Sequence, residues 1–148
     1  VWQKKKTILI VDDEQGLVEA LEDALTYEGH IVLKASTAEQ ALQILKTQHV
    51  DLVTIDIMMP PGPSFEADID SHKTGVFLCQ TIKKQYPKLE LFVLSVVSDI
   101  DTIRTIQKLG VTFLRKGEIP LRTVLDRIKA KLSGLAYSSD WEDDRRKH

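Results

Sequence analysis

A single cysteine, Cys79, occurs in the 148 residues. That excludes an internal disulfide and any zinc site built on cysteine thiolates, and it suits a reducing compartment. The histidines, at positions 30, 49, 72 and 148, show no metal-ligand spacing either. No apolar run approaches the roughly 20 residues needed to cross a bilayer, and no signal-peptide pattern precedes the first apolar segment. The expectation is a soluble, cytoplasmic protein with no membrane role. An excess of one charge is missing too: 20 Lys and Arg stand against 22 Asp and Glu, a net of −2. A chain so balanced has no basic field to hold it on nucleic acid, so direct nucleic-acid binding is not expected. Glycine is sparse, and no Gly-rich loop follows the first apolar run, which disfavours a phosphate-cradling nucleotide fold.

What is present is enough apolar material for one core. With 43% hydrophobic and 28% charged residues, the length suits one compact domain and is short for two. Apolar strands alternate with amphipathic helices along it. "TILIV" (7–11), "HIVLKA" (30–35), "DLVTID" (51–56), "LELFVLS" (89–95) and "VTFLRK" (111–116) read as strands, the first of them apolar enough to be covered on both faces. Between them, Leu17, Leu21, Ala24 and Leu25 recur at helical spacing, with Gly29 as a stop. Ser36 and Glu39 form a candidate capping box ahead of Ala38, Ala41, Leu42 and Leu45. Val76, Cys79, Ile82 and Tyr86 mark a third helix ended by Pro87, and Ile100, Ile103, Ile106 and Leu109 a fourth. Leu121, Val124, Leu125, Ile128 and Leu132 line a fifth that Pro120 can start. Strands followed each by a helix demand crossover connections, so the fold class is α/β: a doubly wound, five-stranded parallel sheet with helices on both faces.

In such sheets functional groups gather beyond the carboxyl ends of the strands, near the point where strand order reverses. Asp12 and Asp13 end the first strand, Asp56 the third, Ser95 the fourth and Lys116 the fifth. Four polar segments therefore converge on one rim. The stretch "ILIVDDEQGL" sharpens the point, because it runs an apolar strand straight into three consecutive carboxylates that repel one another unless a cation joins them.

These residues carry a family pattern. "VDDE" after the first strand, "IDIMMP" after the third, "VLS" closing the fourth and "TFLRK" on the fifth together resemble the receiver domain of two-component response regulators, a flavodoxin-like fold, over about residues 4–132. The chemistry also follows from the residue types. A carboxylate serves as phosphoryl acceptor when it is held fixed, the incoming oxygens are neutralised and a metal organises the displacement. Asp56 is the expected nucleophile, and Asp12 and Asp13 beside it make a hard oxygen pocket suited to Mg²⁺. Lys116 offers a compact positive charge to the phosphoryl group and Ser95 a hydroxyl donor.

The resemblance adds further expectations. It implies that the Met58 backbone carbonyl is a fourth metal ligand and that the donor is a phosphohistidine on a sensor histidine kinase or phosphotransfer protein. It also implies that Phe113, three residues before Lys116, is a rotamer switch moving with Ser95. The readout face is then the fourth helix, fifth strand and fifth helix, with Arg104, Gln107 and Lys108 as surface contacts. That face would engage a downstream protein, an output domain missing from this sequence, or a second copy in a homodimer. Such a protein is a phosphoacceptor that assists its own phosphorylation and dephosphorylation, not a turnover enzyme.

Each residue has a plainer reading. The Asp pair could cap a helix, Lys116 could be a solvated charge, Ser95 could cap the fourth helix where Ser98 or Asp99 would serve better, and Phe113 could be ordinary core. Cys79 on an apolar helix face reads as inert packing. Three departures stand out from the family pattern. The segment 61–75, "PGPSFEADIDSHKTG", makes a loop about ten residues longer than such connections need, placed where it could cover or gate the pocket. Val96 replaces a small residue, and Gly117 replaces a proline after the lysine. A phosphorylation-independent pseudo-receiver is the alternative they raise. A haloacid-dehalogenase-type phosphatase would need an acid where Met58 stands. Residues 133–148 read as a polar tail or linker, with Tyr137 and Trp141 as candidate anchors.

Overall fold

The computed structural model describes residues 5–70, 73–97 and 99–147, with side chains described as far as Gly134. Five strands and five helices alternate: β1 (Thr7–Val11), α1 (Gln15–Tyr27), β2 (Ile31–Ala35), α2 (Ala38–Thr47), β3 (Leu52–Ile55), α3 (Thr74–Gln85), β4 (Glu90–Ser95), α4 (Ile100–Lys108), β5 (Thr112–Arg115) and α5 (Leu121–Lys147). All strand pairs are parallel, in the order β2-β1-β3-β4-β5. The chain steps outward from β1 to β2 and then returns past β1 to β3, so the reversal of strand order lies between β1 and β3.

Period-two alternation sorts the strand residues to two faces. Leu9, Val11, Val53, Ile55, Leu91 and Val93 pack beneath α2, α3 and α4 with Ala41, Leu78, Ile82 and Ile106. Ile8, Ile10, Leu52, Phe92 and Leu94 pack beneath α1 and α5 with Leu21, Leu25, Val124 and Ile128. Burying a leucine- or isoleucine-sized side chain contributes about 1.5–3 kcal/mol, so these two layers fix both the sheet and the height of its rim. Cys79 is fully buried, and burial pushes its thiol up to about 12, as inert packing requires.

Local structure departs from the sequence reading at the cap of α2 and at the end of α5, and agrees with it at the cap of α4. The cap of α2 is Thr37, whose hydroxyl accepts from the Gln40 N–H at 3.1 Å, while Ser36 bonds the Gln40 side chain; the Ser36–Glu39 box does not form because Glu39 turns to the 61–75 loop. Asp99 caps α4, accepting from the Thr102 N–H at 3.2 Å; Ser98 lies outside the described residues. Finally, α5 continues to Lys147, where a polar linker was expected from Ser133 onward. Charge and polarity remove the apolar stripe there, but Lys, Arg, Glu, Ala and Leu keep good helical propensity without it. The side chains of Tyr137 and Trp141 lie outside the described residues. Among the described residues no helix is long and apolar enough to cross a membrane.

Candidate functional site

Strand register makes the first contact. Val11 stands opposite Ile55 across the β1–β3 pair, so Asp12 and Asp56 leave the sheet side by side. The ladder continues one step beyond the strands: the Asp56 N–H donates to the Val11 carbonyl at 2.9 Å and the Asp12 N–H to the Ala35 carbonyl at 3.0 Å. Both side chains are buried, at 7% and 6% exposure for Asp12 and Asp56, whereas Asp13 is exposed. One carboxylate oxygen from each of Asp12, Asp13 and Asp56 lies within 4.8 Å of the other two.

Lys116 arrives from the far side of the sheet. Its N–H donates to the Ser95 carbonyl at 3.0 Å, extending the β4–β5 ladder. The ammonium then lies 2.8 Å from Asp12 Oδ2, 3.2 Å from Glu14 Oε2 and 3.3 Å from Asp56 Oδ2. The remaining oxygens are held by main chain: Asp12 Oδ1 accepts from the Glu14 N–H at 2.9 Å and Asp56 Oδ1 from the Met58 N–H at 3.3 Å. Glu14 is the functional residue the sequence reading left without a role, and its signal was present as the third acid of "DDE".

The electrostatics follow from burial and crowding. Burial raises the Asp56 carboxyl to about 6; Lys116 pulls it down and Asp12 pushes it up. Burial lowers the affinity of Lys116 for its proton, but its hydrogen bond to Asp12 and the charges of Asp12 and Asp56, together with Glu14, outweigh that and hold the ammonium above its ordinary range. Three carboxylates thus contact one ammonium, and a fourth, Asp13, joins Asp12 and Asp56 beside it. Negative charge is in excess, and every donor in the cluster is a hard oxygen, a set that fits Mg²⁺ and not a soft metal.

With this geometry in place, likeness to known proteins is decisive. Residues 8–128 match the response regulator receiver domain family. The chain belongs to that family. It is 34% identical over 128 residues to response regulator GtcR of Aneurinibacillus migulanus, covering 86% of this chain and 48% of that protein. It is 37% identical over 98 residues to a probable transcriptional regulator, ycf27, of Porphyridium aerugineum, covering 65% of this chain and 36% of that protein. The chain therefore spans about half or less of these curated relatives. Among solved structures it resembles the non-phosphorylated HemR receiver domain of Leptospira biflexa, at TM-score 0.74 and 26% identity, over 87% of this chain and 95% of that one. It shares the fold of a CheY-like receiver from Methanospirillum hungatei, at TM-score 0.76 and 24% identity over 91% and 99% of the two chains.

The other predicted residues of this receiver are distributed around the cluster. Ser95 is fully buried at the end of β4, with its hydroxyl accepting from the Val97 N–H at 3.3 Å. Phe113 pairs with Val93 and packs, half-buried, against the core layer under α4. Ser95 and Phe113 share one sheet face, because Ser95 pairs with Arg115 two residues beyond Phe113. Met58 is 38% exposed and reaches Asp56 through its N–H. Val96 is 61% exposed on the rim. Gly117 has φ +81°, a conformation that proline's fixed negative φ forbids.

The long loop makes its contacts with helices. Pro61 and Ser64 bond Glu39 at the start of α2, and the Phe65 ring packs on Phe77 of α3 at 5.3 Å between centroids. The loop lies clasped beside the rim.

Proposed function

We propose that this receiver accepts a phosphoryl group on Asp56. The observation that carries the reading is the convergence of Asp12, Asp13, Asp56 and Lys116 from three strand ends. An Asp56 carboxylate oxygen attacks the phosphorus of a phosphohistidine on a sensor histidine kinase or phosphotransfer protein; the P–O bond forms as the P–N bond breaks, and the imidazole departs. Asp12, Asp13, Asp56 and the Met58 carbonyl would hold Mg²⁺. When bound, the ion supplies charge neutralisation and alignment of the phosphoryl oxygens. Lys116 then exchanges its contact with Asp56 for a phosphoryl oxygen, and the Ser95 hydroxyl donates to another.

Loss of the Ser95 hydroxyl from its place behind β4 makes room for Phe113, which shares its face, to turn inward. The α4–β5–α5 face is thereby altered for a downstream protein, an output domain or a second copy. The intact acceptor, acids, hydroxyl and lysine weigh against a phosphorylation-independent module. The test is intact-mass measurement after incubation with acetyl phosphate and Mg²⁺. A single phosphoryl adduct lost in Asp56→Asn is expected; no adduct, together with no binding of beryllofluoride, would overturn the reading.

A further inference from the structure

The first stem of the loop between β3 and α3 is held at Glu39 of α2, by its main chain and by its carboxylate. The Glu39 N–H donates to the Pro61 carbonyl at 2.9 Å. Its carboxylate accepts from the Ser64 N–H at 3.4 Å and from the Ser64 hydroxyl. Between these two points Gly62, at φ +107°, approaches so closely that a Cβ there would stand 2.5 Å from Glu39 Cβ. Only glycine combines that backbone conformation with that approach. Because Thr37 already caps α2, the Glu39 carboxylate is released from helix capping and is spent on the loop.

The clasp lies close to the phosphoacceptor along the chain. Of the residues between, Ile57, Met59 and Pro61 are buried and Met58 and Pro60 are exposed, so a bent run is pinned on alternate side chains. At its start the Ile57 carbonyl accepts from the Gly75 N–H at 2.9 Å, and the Met58 N–H holds Asp56 Oδ1. Fixing Pro61 and Ser64 therefore fixes the segment that orients the Asp56 carboxylate.

We propose that Glu39 is a positioning residue for Asp56, acting through the hold of its carboxylate on Ser64 beside the main-chain bond to Pro61. The inference rests on the phosphoacceptor reading of Asp56. It concerns the part of this chain that departs from its family, since the clasp is made on the lengthened loop.

The test compares Mg²⁺-dependent labelling by acetyl phosphate in the full chain and in Glu39→Ala, Ser64→Ala, their double variant and Glu39→Gln. The rate at saturating phosphodonor is expected to fall about tenfold in each alanine variant, with the half-saturating phosphodonor concentration unchanged. The double variant is expected to be no slower than either single one, because both remove the same Glu39–Ser64 side-chain contact and leave the main-chain bond to Pro61 in place. Glu39→Gln, which keeps an acceptor for the Ser64 hydroxyl, recovers most of the rate. Wild-type rates in both alanine variants, or effects that multiply in the double variant, would overturn the proposal while leaving Asp56 as acceptor. Should the wild-type chain take no label, the phosphoacceptor reading fails first, and hydrogen exchange decides on the clasp. Faster exchange at the Met58 and Gly75 amides in Glu39→Ala supports it, and unchanged protection overturns it.

Discussion

The Lys116 ammonium lies 3.3 Å from a carboxylate oxygen of Asp56, across 60 residues of sequence. The parallel sheet makes this pairing possible, since β5 and β3 deliver their ends to the same rim on either side of β4. On the proposed function, Lys116 offers its positive charge to a phosphoryl group on Asp56. Lys116→Gln is expected to slow labelling by about a hundredfold, the usual effect of removing one donor to a charged transition state. Labelling kinetics followed by intact mass measure it; a rate within twofold of wild type would reduce Lys116 to a structural ion-pair partner.

Burial holds the Asp56 carboxyl at about 6, above its ordinary value of 3.8. The folded state therefore binds this proton more tightly than the unfolded chain does. The associated stability is fully present below about 3.8 and is lost as pH rises through about 6. At neutral pH the buried anion costs on the order of 2–3 kcal/mol, a figure that already contains the favourable pairing with Lys116. Asp56→Asn is expected to be more stable than wild type at pH 7.5, with the difference shrinking toward pH 4. Urea unfolding midpoints at the two pH values measure it, and a difference independent of pH would contradict the assignment to this carboxyl.

Gly75 sits in the first turn of α3, where a Cβ would meet the Asp56 carbonyl oxygen at 2.5 Å. In an open helix alanine would be favoured over glycine by up to ~1 kcal/mol. Here the obstacle is backbone, which cannot swing aside, and overpacking of this kind costs about 1–3 kcal/mol. Sterics win. Gly75→Ala is expected to lower the melting temperature and to displace the acceptor, so that labelling slows as well. An unchanged melting curve would mean that α3 can retreat from the sheet.

The architecture was legible in the sequence because it is written in periodicity. "TILIV" and "LVTI" are short, β-branched apolar runs that read as buried strands, and Val124, Ile128 and Leu132 mark the buried stripe of a helix. The acidic cluster was legible for a related reason: residues just past strand ends in a parallel sheet share one edge, so Asp12, Asp56 and Lys116 could be brought together without coordinates. Contacts set by side-chain direction were harder to read. Glu39 satisfies the spacing of a capping box, yet spends its carboxylate on Ser64, a partner 25 residues away that no local pattern announces. Glu14 likewise reads as one more repelling charge until Lys116 is placed 3.2 Å from it. The end of α5 was missed because loss of an amphipathic stripe marks where burial stops, not where the helix does.

The clasped loop has a consequence for engineering. Its two stems are anchored, one at Glu39 and the other where Gly75 meets the backbone behind the acceptor, while Glu66, Ala67 and Asp68 face solvent. Closure entropy grows by only about 0.6 kcal/mol for each doubling of loop length. The tip is thus a natural insertion port, into which a peptide epitope or a small sensor module can be spliced without rebuilding the scaffold, placing a foreign binding event next to the acceptor carboxylate.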